Sequence, residues 1–255
     1  MIKTIDIKST KTAEVYRYLS NAVTPRPIAF VSTIDKSGNK NLSPFSFFNV
    51  FSVNPPILVF SPVRRVRNNT SKDTLDNIKE VNECVVSLVS EEIAQQVSLS
   101  SCDFEANVNE FEKAGFTELK SELIRPSRVK ESPVNFECKV NDVIELGKEG
   151  GAGSLVLCEV LKIHIDEKVI DGKDELDPLK LNLVSRYGKN WYGKTTKESL
   201  YEIVKPISRI GMGIDQLPDH IRQSNILTGN ELAILASIEK TPIKKDFPLC
   251  IISRF

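Results

Sequence analysis

The chain has 255 residues, and its 34 Lys and Arg balance 34 Asp and Glu, so the formal charge is zero. A balanced chain carries no global field to hold nucleic acid or an anionic membrane. With 40% hydrophobic and 27% charged residues it has the composition of an ordinary soluble globular protein rather than a disordered one. At about 150 residues per domain, the length predicts one or two domains with a full-sized core. No apolar run approaches the roughly 20 residues of a membrane helix. Met1–Asp6 is followed by no apolar stretch of the kind a secretory signal needs. The five cysteines are scattered and form no CxxC or Cys/His cluster, which argues against zinc and against a disulfide frame. A reducing cytoplasm and small buried thiols are the expectation.

In chain order, residues 12–20 predict a short amphipathic helix with Val15, Tyr16 and Leu19 on one face. Thr24-Pro-Arg-Pro forbids helix, because each proline pushes its predecessor into extended geometry. Ile28–Ile34 reads as a strand and Asp35–Asn39 as a turn around Gly38. Leu42–Val53 continues as one extended aromatic segment, broken by Asn54-Pro-Pro. Ile57–Phe60 is an all-apolar strand with both faces covered. Residues 73–81 suit a helix and Cys84–Val89 a strand. Ser90 then reads as the N-cap of a helix running to about Leu99. Residues 109–114 make a helical turn closed by Gly115. Val134–Leu146 and Leu155–Ile165 are long strands joined by a glycine-rich turn. From 196 the pattern turns helical, over 197–204 before Pro206 and again after Thr228-Gly-Asn-Glu231, a capping box. The economical reading is a mainly β, α+β fold: one barrel-like domain over 1–195 and a C-terminal helical extension over 196–255 packed on it.

Three segments carry the chemistry. In Asn41-Leu-Ser-Pro-Phe-Ser-Phe-Phe-Asn, polar Ser43, Ser46 and Asn49 interrupt an aromatic strand. Apolar faces with a few placed donors suit a flat heteroaromatic ligand; the alternative is a core strand whose serines bond neighbouring backbone. Lys72-Asp-Thr opens a helix, where free N–H groups, a lysine and the Thr74 hydroxyl could hold a phosphate; simple capping by Asp73 or Ser71 is the alternative. Arg26, stiffly placed between two prolines, could meet a phosphate or ring carbonyl, or form a surface salt bridge. Three other features read as bland. Gly150-Gly-Ala-Gly153 is a turn, Arg64-Arg-Val-Arg67 a solvated loop, and Trp191 and Tyr192 packing or rim residues. The isolated His164 and His220 suggest no metal.

The ordered set TPRPIAFVST (24–33), NLSPFSFFNVFSVNPP (41–56) and KDTLDNI (72–78) resembles the flavin reductase-like, FMN-binding split-barrel family. SRYGKNWY at 185–192 is a weaker fourth piece, and the resemblance covers roughly residues 12–195. It implies a six-stranded Greek-key split β-barrel with peripheral helices that forms a homodimer, with FMN at the subunit interface. Ser46, Phe47, Phe48 and Asn49 would lie along the isoalloxazine ring, and Lys72 and Thr74 would hold the phosphate. Thr24 and Arg26 would border the same pocket. No residue would act as a conventional acid, base or nucleophile, because the flavin carries the hydride. The implied function is NAD(P)H-dependent reduction through FMN. The alternatives are a flavoredoxin-like carrier fed by an electron-transfer protein, and a binding protein that has lost turnover.

Overall fold

The structure, a computed structural model, describes residues 1–105, 108–204 and 210–240; Pro206 and Cys250 lie outside the described residues. The chain divides into two compact units, Met1–Leu200 and Tyr201–Phe255.

The first unit is built on a seven-stranded antiparallel sheet. Its strands are β1 (Ala29–Ile34), β2 (Lys40–Phe45), β3 (Phe48–Val53), β4 (Pro56–Phe60), β5 (Glu83–Leu88), β8 (Val134–Glu145) and β9 (Ser154–Ile165). Two small hairpins lie outside it: β6 (Glu118–Leu119) with β7 (Arg128–Val129), and β10 (Val184–Arg186) with β11 (Tyr192–Lys194). The helices are α1 (Thr12–Ala22), α2 (Asp73–Val81), α3 (Ala94–Leu99), α4 (Glu110–Ala114) and α5 (Pro178–Leu181).

The sheet order is β2-β1-β5-β8-β9-β4-β3. Five strand spacings separate β2 from β4, about 24 Å in a flat sheet at about 4.8 Å each. Yet the rings of Phe45 on β2 and Phe60 on β4 lie 5.2 Å apart, centroid to centroid. The sheet therefore curls back on itself. Ala29, Val31, Leu58, Cys84, Val86, Cys138, Val140, Val156 and Cys158 fill the space inside, sealed by Leu75 and Ile78 of α2. Outside the curl, Phe30 and Leu42 pack with Val97 of α3, Phe111 of α4, Val129 and Val184 in a second core. This explains why β1 is buried along almost its whole length.

Seven strands stand where six were expected because the aromatic segment 42–53 is two strands. The chain bends at Ser46-Phe47, between β2 and β3, and these two strands end up on opposite edges of the sheet. The helix expected over 90–99 is a 3-10 turn (Glu91–Ile93) followed by α3, and the Ser90 hydroxyl makes no cap bond. Residues 197–204 hold only a 3-10 turn at Lys197–Ser199.

In the second unit, α6 (Asp219–Arg222) precedes α7 (Gly229–Ala236), whose Thr228–Glu231 capping box is formed. The Gly211–Pro218 stretch is pinned to the end of α7: Met212 N–H donates to Ile238 O and Gly213 N–H to Ala236 O. A Cβ on Gly211 would stand 3.1 Å from that same Ala236 oxygen, which accounts for glycine there.

Candidate flavin site

Where the chain bends between β2 and β3, a cavity of about 320 Å³ opens at the surface. Phe47, Phe48 and Phe51 line it together with Val59 and Leu155, and Ser46, Asn49 and Ser61 supply polar atoms. Its other wall is Val23 and Pro25-Arg26-Pro27. The strand break creates the site. Ser46 and Phe47 leave the ladder, and Ser61 N–H donates to Phe47 O at 2.8 Å, holding the bend against the end of β4. Phe48 packs down onto the interior core, whereas Phe51 is 69% exposed.

Arg26 is 6% exposed. Its guanidinium donates to the carbonyls of Ser20 and Val23, both at 2.6 Å, and to Tyr187 O at 3.2 Å. It closes the C-terminal end of α1, where carbonyls lack helical partners, and ties that end to the segment after β10. It also lies over the Phe47 ring at 5.8 Å, while Phe47 tilts against Tyr16 at 6.4 Å. Its Nε is buried and has no hydrogen-bond partner. Among the described residues Arg26 thus forms no salt bridge, contrary to one of the sequence alternatives. Three carbonyls engage its terminal nitrogens, and its Nε is left without a partner. Thr24 is half-buried beside it, its hydroxyl 3.5 Å from Asn21 O.

Further along β2 lies a small polar cleft. Asn41, Ser43, Arg65, Lys72, Thr74 and the Ser100–Asp103 turn line it. Lys72 is the N-cap residue of α2, and no side chain caps that helix. Burial, followed by the charge of Arg65, pushes the Lys72 ammonium below the usual lysine range; Asp103 and Asp73 only partly offset this. Asp103 also serves Arg65 (3.6 Å) and Arg67 (3.2 Å). Two cations, Lys72 and Arg65, thus line the cleft together with Asp73, Asp103 and Glu110. Arg65 is not a solvated loop residue: it donates to Thr70 Oγ1 and Ser71 O and is three-quarters buried.

Thr74 is 1% exposed and donates to Asn41 Oδ1 at 2.5 Å. Asn41 in turn donates to Glu110, which also accepts from Leu42 N–H. Burial raises the Glu110 pKa above the usual carboxylate range. The Thr74 hydroxyl is therefore committed to a buried network, and the cations at the cleft are Lys72 and Arg65.

The structure brings Arg26 together with Ser46, Phe47, Phe48 and Asn49 around one cavity, and Lys72 with Thr74 around another. Ser43 in the cleft and Ser46 in the cavity are three residues apart, at most about 10 Å along an extended chain. Sequence reasoning missed Arg65, whose basic cluster was visible but whose burial was not. It also missed Ser61 and Leu155, which reach the cavity only because β4 and β9 pair. No helix among the described residues is long and apolar enough to cross a membrane, and no metal-binding cluster occurs among them.

The flavin reductase like domain family model matches residues 21–181. A protein of Aquifex aeolicus is 36% identical over 192 residues, covering 75% of this chain and 95% of that one. One of Halalkalibacterium halodurans is 40% identical over 189 residues, covering 73% and 89%. Among solved structures, nitrilotriacetate monooxygenase component B from Bacillus cereus is 28% identical with a TM-score of 0.74, covering 80% of this chain and 99% of that chain. The 2-nitrobenzoate 2-nitroreductase of Pseudomonas fluorescens is 29% identical with a TM-score of 0.72, covering 83% and 100%. Flavoredoxin of Desulfovibrio vulgaris, at 18% identity and a TM-score of 0.62, shares the fold. The chain belongs to the flavin reductase-like family.

Proposed function

We propose that this protein is an FMN-dependent oxidoreductase that takes its electrons from NAD(P)H and works as a homodimer. The observation that carries the reading is an aromatic-walled cavity at the end of β2 with a polar cleft bearing Lys72 and Arg65 further along the same strand. The aromatic walls of the first suit a flat ring, and the two cations of the second would face its phosphate. Arg26 and Ser46, both on the cavity lining, would supply donors for ring heteroatoms. Lys72 and Arg65 would hold the phosphate, helped by the uncapped N–H groups that open α2. Among the described residues one cation-bearing cleft lies on the strand that leads to the aromatic cavity, which favours FMN over FAD.

When bound, FMN would supply the redox chemistry between a nucleotide donor and an acceptor. The chain's own residues bind, orient and shield. Phe47 and Phe48 wall the ring from water, and the Arg26–Tyr187 bond fixes the opposite wall. The guanidinium of Arg26 on the cavity lining would stabilise negative charge in a ligand held there. Homodimer formation is supported by β3, an edge strand that exposes Val50, Phe51 and Val53 beside the cavity; open apolar edges mark contact surfaces. The test is chemical. Protein reconstituted with a flavin mixture, desalted and denatured should release FMN at one equivalent per chain. Release of stoichiometric FAD, or of no flavin, would contradict the reading.

A further inference from the structure

Two loops that read as bland in the sequence, Arg64–Arg67 and Gly150–Gly153, meet in the structure and set one side of the cleft that bears Lys72. Arg64 N–H donates to Ala152 O at 2.9 Å, and Gly151 N–H donates to Arg64 O at 3.0 Å. A Cβ on Gly150 would stand 3.0 Å from Val66 Cα and 3.2 Å from Arg65 O, so any side chain there would press on backbone. Asn69 Nδ2 donates to Lys148 O at 3.0 Å and ties down the far end of the arginine loop. From this clamped backbone the Arg65 side chain reaches Thr70 Oγ1 and Ser71 O, one residue before Lys72. The arginine side of the cleft is therefore fixed.

The facing side is the Ser100–Asp103 turn that follows α3. Ser101, Cys102 and Asp103 are exposed. The N–H groups of Ser101, Cys102 and Phe104 donate to the carbonyls of Ser98, Leu99 and Cys102, all of them local. Asp103 ties the turn to the arginine loop: one carboxylate oxygen lies 3.6 Å from Arg65 Nε and the other 3.2 Å from Arg67 Nη2. The Asp103 side chain is 56% exposed, and ion pairs so open to water hold weakly. With Asp103 in this position the cleft measures about 20 Å³, room for a single water. A phosphate group, with its several oxygens, does not fit beside it.

We infer that Asp103 competes with the flavin phosphate for Arg65, and that the phosphate enters as the exposed turn gives way. The inference rests on the reading that places the FMN phosphate at Lys72 and Arg65. It deepens that reading by naming the residue of this chain that limits affinity for a phosphorylated flavin. Charge favours the exchange: a phosphate monoester brings about two negative charges and three acceptor oxygens where the carboxylate brings one charge, and a guanidinium takes phosphate in a two-pronged grip. The displaced carboxylate stays nearby and repels the newcomer. Asp103 thus lowers the affinity for FMN and leaves that for riboflavin, which has no phosphate, untouched. A carboxylate that instead held Arg65 ready for the phosphate would act with the opposite sign.

The test titrates wild type, Asp103→Asn and Asp103→Glu with FMN and with riboflavin. Asp103→Asn should tighten FMN binding by about threefold to tenfold, because a competing ion pair and a repulsion go together. Asp103→Glu keeps the charge and should stay near wild type, and riboflavin should bind all three proteins alike. Inorganic phosphate should displace FMN from wild type, and should bind Asp103→Asn more tightly than wild type. Thermal unfolding without flavin should be the same for all three, since the position is exposed. If Asp103→Asn weakens FMN binding, the carboxylate positions Arg65; if it changes nothing, the carboxylate has no bearing on the phosphate. Either result overturns the inference and leaves the FMN reading standing. Tightening by Asp103→Glu as well, or of both flavins equally, would reflect a loosened turn and would also overturn it. If wild type binds FMN no better than riboflavin, the phosphate assignment falls and takes the inference with it.

Discussion

Lys72 carries the sharpest residue-scale expectation. A charge-assisted hydrogen bond is worth about 1.5–3 kcal/mol net, so Lys72→Ala should weaken FMN binding by about tenfold to a hundredfold at about 1.4 kcal/mol per decade. Riboflavin, which lacks the phosphate, should bind both proteins alike; equal losses for the two flavins would remove the phosphate assignment. The lowered Lys72 pKa adds a pH signature. Its positive charge is lost at lower pH than for a free lysine. FMN affinity should therefore fall in mildly alkaline solution where riboflavin affinity does not, as parallel titrations would show. The same shift sets a stability sign: the apo protein holds this charge less willingly than the unfolded chain does, so the group favours the fold more as pH rises through its folded pKa. Lys72 was legible from sequence because a helix start can be read from local spacing. The partners of Thr74 and Arg26 were not. Asn41 lies 33 residues from Thr74, and Tyr187 lies 161 residues from Arg26, so both contacts exist only after the sheet has closed.

At the scale of elements, the β6–β7 hairpin is fastened by one buried carboxylate. Glu137 on β8 is fully buried and accepts the N–H groups of Glu122 and Leu123 at 2.8 and 2.7 Å, with His164 Nε2 at 2.7 Å. Burial alone would raise its pKa, but these donors outweigh burial and hold it below the usual carboxylate range. A depressed carboxylate pKa stabilises the fold above the unfolded value and loses that contribution as pH falls through the folded one. Glu137→Gln should therefore cost about 1–3 kcal/mol at neutral pH and flatten the acid limb of the stability curve, as denaturant titrations across pH would reveal. A second expectation concerns β3. If its exposed face is the dimer contact, Phe51→Asp should shift sedimentation toward monomer and weaken flavin retention; a variant that stays dimeric would place the contact elsewhere. The strands were largely legible from alternation and apolar runs. The break at Ser46-Phe47 was not, because the aromatic run continues through it and only closure of the sheet assigns its two halves to opposite edges.

For the whole molecule, topology explains why so short a set of motifs specifies a site. The curl of the sheet brings the end of β2, the start of β3 and the TPRP segment together, and the helix that opens at Lys72 seals the interior with Leu75 and Ile78. Residues 201–240 lie beyond the stretch that the family model matches. Their local structure was partly legible, since the Thr228 capping box formed as read. Their contribution to function was not, because nothing in their composition names a ligand. If this fold holds FMN for reduction by a pyridine nucleotide, anaerobic mixing of the FMN-loaded protein with NADH or NADPH will show it. The visible flavin band should bleach rapidly with one of the two donors and reappear when an electron acceptor is admitted. A protein that takes up no FMN, or whose bound FMN bleaches only with a reduced partner protein, would contradict it.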